Sequence, residues 1–94
     1  MNQQILDEVM LFLVPQFKFM SSLIVGHNLT ELGLIKERIN KGLKKDYITF
    51  YPEEKNLDLD IKKIEKEKGK EWTKTLKKQL KAFVEIIEKF EESK

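Results

Sequence analysis

The chain contains no cysteine, which excludes disulfides, thiolate metal ligands and a thiol nucleophile. A single histidine, His27, leaves no pair for a zinc site or a proton relay. Only two prolines and four glycines interrupt the 94 residues, so loops are few. The longest apolar stretch, Val9 to Val25, holds Pro15, Gln16, Lys18, Ser21 and Ser22. A membrane span needs about 20 mostly apolar residues. Asp7 and Glu8 precede that stretch, where a secretory signal would be basic. There is no nucleophile–base pair, no glycine loop to cradle a phosphate and no metal-ligand cluster. Together these absences predict a cytoplasmic protein without membrane contact, cofactor, metal or catalytic activity.

What is present is charge. Hydrophobic residues make up 40% of the chain and charged residues 36%. The first figure supports a packed core, and the second exceeds the roughly 25% of an average globular protein. The net charge of +2 is unevenly spread. Residues 62–81 hold nine lysines against Glu65, Glu67 and Glu71, a net +6. Residues 82–94 hold two lysines against four glutamates, a net −2. Such a basic stretch is either a footprint for a polyanion or a solvated helix face.

Hydrophobic periodicity places the elements. Ile5, Leu6, Val9, Met10 and Leu13 follow helical spacing over residues 3–14. Pro15 ends that helix near Val14, or kinks it, and suits the first turn of a second helix over residues 16–25. A third helix opens at Asn28-Leu29-Thr30-Glu31, which has the form of a capping box. It runs through Leu32, Ile35 and Ile39 to Gly42, a stop signal.

The period then changes to two. Tyr47-Ile48-Thr49-Phe50-Tyr51 and Leu57-Asp58-Leu59-Asp60-Ile61 read as a hairpin around a five-residue linker. A final helix extends from about Glu65 to Phe90, roughly 40 Å at about 1.5 Å per residue. Its stripe of Trp72, Leu76, Leu80, Phe83, Ile87 and Phe90 predicts a partner surface. The alternative is that this helix folds back over the first one. The fold class is thus mainly α with a small β-hairpin, an α+β chain. Residues 1–64 form its body and residues 65–94 a long terminal helix, within one structural unit.

Ser22, Gly26 and Leu32 have the separations of the crossing residue, turn glycine and apolar anchor of a helix-turn-helix. Arg38-Ile39-Asn40-Lys41-Gly42-Leu43 resembles the end of the recognition helix in the MarR and PadR families of winged-helix regulators. Glu67-Lys68-Gly69-Lys70-Glu71-Trp72 resembles the segment that follows the wing there. The size and layout are also similar to small winged-helix proteins of archaea and their viruses. The resemblance covers residues 16–90. It implies a winged helix-turn-helix with a C-terminal dimerisation helix, acting as a DNA-binding transcriptional regulator.

Under that resemblance the recognition helix is residues 29–41, and double-stranded DNA and a second copy are the partners. Thr30, Lys36, Arg38, Asn40 and Lys41 would contact DNA, with Lys44 and Lys45 just beyond and Lys55 on the wing. Trp72, Leu76, Leu80, Phe83, Ile87 and Phe90 would form the homodimer seam. The competing reading is a small helical interaction protein, such as a viral structural, inhibitory or immunity protein. It would use the Trp72–Phe90 stripe on a different protein.

Overall fold

In a computed structural model the chain is described over residues 3–25 and 29–93, with side chains over 3–15 and 30–93. The described residues form four helices and a two-stranded antiparallel sheet, which packs against the second and third helices. The helices are α1 (Gln3–Val25), α2 (Leu29–Lys45), α3 (Ile61–Lys68) and α4 (Lys70–Glu92). The strands are β1 (Tyr47–Ile48) and β2 (Leu59–Asp60), with Tyr47 opposite Asp60 and Ile48 opposite Leu59. The mainly helical chain with one small hairpin is therefore established.

The first helical segment does not stop at Pro15. The helix continues through it to Val25, so residues 3–25 are one element and not two. Proline removes the hydrogen bond to the carbonyl four residues earlier, that of Leu11. Leu11 and Pro15 are both exposed, so the missing bond falls on the side of α1 turned away from the chain's own core. Val9 and Leu13 on the opposite side are fully buried. The turn at Gly26, His27 and Asn28, with the capping role of Asn28, lies outside the described residues.

Gly42 does not end α2; three more residues follow it in the helix. It serves packing instead. A Cβ at Gly42 would clash with Ile48 Cγ1 and lie 2.7 Å from the Tyr47 carbonyl oxygen. The absent side chain lets β1 cross against α2. The helix ends at Asp46, whose positive φ of 58° is the left-handed turn tolerated by aspartate. The Asp46 carbonyl accepts from the backbone N–H of Ile61 at 2.9 Å, which ties the end of α2 to the start of α3.

Leu59 and Ile61 are buried on the hairpin's second limb, as alternation predicts, but Ile61 already belongs to a helix. Asp60 caps that helix by accepting from the backbone N–H of Lys63 at 3.2 Å. Asp58 accepts from the Tyr47 hydroxyl at 2.8 Å across the hairpin. The two alternating acids thus have structural partners. Arg38 donates to the Phe50 carbonyl at 2.8 Å and fastens the hairpin loop to α2.

The terminal helix is shorter than its periodicity suggests. Gly69, at φ 94° and ψ 167°, breaks residues 61–92 into α3 and α4. Twenty-three residues at about 1.5 Å give α4 roughly 35 Å. The molecule's longest extent is 38 Å, so α4 runs the whole of it. It folds back over α1 and α2. Trp72, Leu76, Leu80 and Ile87 are buried in the chain's own core, and Phe83 and Phe90 are half-buried. The stripe expected as an exposed dimer seam is therefore the inner face of the monomer, and the fold-back alternative is the one observed. Phe12 of α1 meets the Trp72 ring edge-on, with centroids 5.3 Å apart.

Candidate nucleic-acid interface

Thr30, Leu34, Glu37, Lys41 and Lys44 recur along α2 with steps of four and three, and all are exposed. They form the solvent stripe of a helix whose other face buries Leu32, Ile35 and Ile39. Of the residues expected to contact DNA, Thr30, Asn40, Lys41, Lys44, Lys45 and Lys55 are exposed. Lys36 and Arg38 are half-buried and committed elsewhere. Lys36 pairs with Glu91 at 2.6 Å. Its ammonium is held above the ordinary lysine range, chiefly by the hydrogen bond to Glu91 and also by the fields of Glu88 and Glu37. Arg38 is spent on the Phe50 carbonyl. Lys55 sits in a 3-10 turn (Lys55–Leu57) within the hairpin loop, beside the exposed Glu53 and Glu54.

Two ion pairs fix how α2 meets α4. Lys36 meets Glu91, and Asp46 meets Lys77 at 3.3 Å. The helices are therefore antiparallel, and the C-terminal end of α2 lies against the first half of α4. Asn40, Leu43 and Lys44 of α2 share a groove of about 680 Å³ with Lys77, Lys81, Val84, Glu85 and Glu88 of α4. A second, of about 470 Å³, continues along α2 through Lys41, Lys36 and Thr30 to Glu91.

The charge of the molecule reverses along α4. Residues 70–81 carry five lysines against Glu71, a net +4. Residues 82–92 carry Lys89 against four glutamates, a net −3. The antiparallel pairing sets Lys44 and Lys45 at the positive end of α4 and Glu37 towards its negative end. Lys62, Lys63, Lys66 and Lys68 of α3, and Lys70, Lys74, Lys78 and Lys81 of α4, are exposed. Among the described residues, Lys36 and Lys77 are the lysines held in ion pairs. Lys68 also sits 5.7 Å above the Trp72 ring.

Helical spacing in the sequence reveals α2's share of this basic pole but not that of α4. The available signal is the run of nine lysines. What one sequence does not reveal is that α4 turns back antiparallel to α2, which sets Lys77 and Lys81 beside Lys44. Of the helix-turn-helix spacing, the Ser22 side chain and Gly26 lie outside the described residues. Among the described residues no cluster of acids or histidine is suited to a metal. No described helix is long and apolar enough to cross a membrane. No protein-family model matches the chain, and no curated protein or solved structure gives a significant match.

Proposed function

We propose that the chain is a DNA-binding regulator that holds duplex DNA at its basic pole. The observation that carries this is the meeting of exposed lysines from α2 and α4 on one groove, with Lys77 alone of the groove-lining α4 lysines held in a described ion pair. Lysines so placed neutralise backbone phosphates and release counterions. The solvent stripe of α2 then lies towards the major groove as a recognition helix. Asn40 and Thr30 are its hydrogen-bonding side chains, and Leu34 is apolar enough to meet a thymine methyl. The order of elements supports a winged-helix reading: the hairpin follows α2 directly, as a wing follows a recognition helix, with Lys55 in its loop. Glu85 and Glu88 of the acidic half of α4 line the other end of the same groove, which confines phosphate to its Lys44–Lys81 end, and Lys36, already neutralised by Glu91, has no part in it.

Charge reversal at Lys44 and Lys81 tests the assignment. Both side chains are exposed, so the fold is expected to hold. The double substitution Lys44→Glu with Lys81→Glu should weaken binding to bulk duplex DNA at low salt by about 100-fold, roughly tenfold for each phosphate left without its lysine. Lys36→Glu should change it far less. Unchanged retardation of the double variant on a gel would discard the basic pole as the binding surface.

A further inference from the structure

Over residues 10–14 the outer face of α1 is apolar where a solvated helix would be polar. Leu11 is 73% exposed, Val14 54% and Met10 44%. These positions are neighbours at helical spacing, Met10 and Leu11 each lying one turn from Val14. Among the described residues, the other large apolar ones open to solvent, Leu34, Tyr47 and Ile86, stand singly on three other elements.

We propose that this face is covered by α1 of a second copy, the two helices running antiparallel about a twofold axis between residues 12 and 13. Positions 7, 11, 14 and 18 step by four, three and four, the spacing of a helix-pairing seam. In an antiparallel pair about that axis, position 11 of one copy lies opposite position 14 of the other, leucine against valine. Position 7 lies opposite position 18, an aspartate against a lysine in the sequence. A parallel pair would instead set position 7 against itself, aspartate on aspartate, so charge selects the antiparallel register. The interface is isologous: each pairing occurs twice. This inference goes beyond the DNA-binding reading and does not rest on it, because pairing through α1 involves neither the α2–α4 groove nor any nucleic acid.

Mass measurement of the full chain in solution without DNA, by analytical ultracentrifugation over a concentration series, tests it. The wild-type chain is expected at twice the 11.2 kDa chain mass. Leu11→Glu, at a site with little burial to lose, should raise the dimer dissociation constant at least about 100-fold, on the order of tenfold for each of the two copies. Its helical signal should be unchanged, and its melting temperature should match that of the wild-type chain diluted below its dimer dissociation constant. Asp7→Lys should weaken the pair, and Asp7→Lys combined with Lys18→Asp should restore it. A wild-type chain that stays at 11.2 kDa at high concentration overturns the proposal. So does a Leu11→Glu dimer of undiminished affinity, or a charge-swapped double variant that pairs no better than Asp7→Lys.

Discussion

Truncating Trp72 to alanine is expected to remove about 3–5 kcal/mol of stability, the cost of deleting a large aromatic from a packed core. Against a total of roughly 5–15 kcal/mol for a domain, that is enough to leave much of the chain unfolded. Trp72 is 4% exposed and stands in the first turn of α4, just after the Gly69 break. Its edge-on packing with Phe12 joins α4 to α1, and Lys68 covers the ring from α3. One side chain therefore holds three helices. Its indole N–H is buried and has no hydrogen-bond partner among the described residues. Leaving a buried donor unpaired costs about 1–3 kcal/mol. Trp72→Phe sheds that orphan while it keeps a ring, so it should cost less than about 1.5 kcal/mol. Urea unfolding followed by circular dichroism distinguishes the two variants. Equal losses for alanine and phenylalanine would contradict this account of the joint.

Gly42→Ala should also destabilise, by about 1–3 kcal/mol, although it replaces glycine by alanine inside a helix. Propensity alone gives the opposite sign, a gain of about 1 kcal/mol. The clash decides. The added methyl would meet the Ile48 Cα as well as its side chain and the Tyr47 carbonyl, and backbone atoms held in a strand do not swing aside. Relief requires β1 to lift from α2, which loosens Ile48 and Phe50, both fully buried. The same substitution at Gly33, where a Cβ would touch only the end of the Glu91 side chain at 3.4 Å, serves as the control and should be neutral or stabilising. A stabilised Gly42→Ala variant in denaturant unfolding would show that β1 does not press on α2.

The neighbourhood of Gly42 also shows where the sequence is legible. The change from helical to alternating period at Tyr47 marks the hairpin, because one buried face of a strand needs apolar residues at every second position. The strands prove to be only two residues each, because Asp60 caps a helix at once and pulls Ile61 out of the ladder. Gly42 is ambiguous by nature. A glycine after an apolar helical run marks a helix end or a close crossing, and only the neighbour in space distinguishes them. Pro15 misleads in the same way, since a helix tolerates the lost bond on a side turned away from its core.

The α4 stripe is correct as a stripe, but length misleads about its partner. An uninterrupted helix from residue 65 overreaches a body this small, whereas a break at Gly69 leaves a helix that fits. The acids at Asp58 and Asp60 likewise acquire their roles only from the register of the hairpin. On the candidate interface, exposure of Lys41, Lys44 and Lys45 follows from helical spacing. The capture of Lys36 by Glu91 joins positions far apart in the chain, and no local pattern signals it.

The proposed holding of duplex DNA by lysine–phosphate pairing at the α2–α4 pole takes a quantitative form. The most direct test is the affinity for non-specific duplex DNA measured by fluorescence anisotropy over a range of salt concentration. Neutralisation of about four phosphates predicts a plot of log affinity against log salt with a slope of about −3.6. A flat plot, or no binding even at low salt, would contradict the claim.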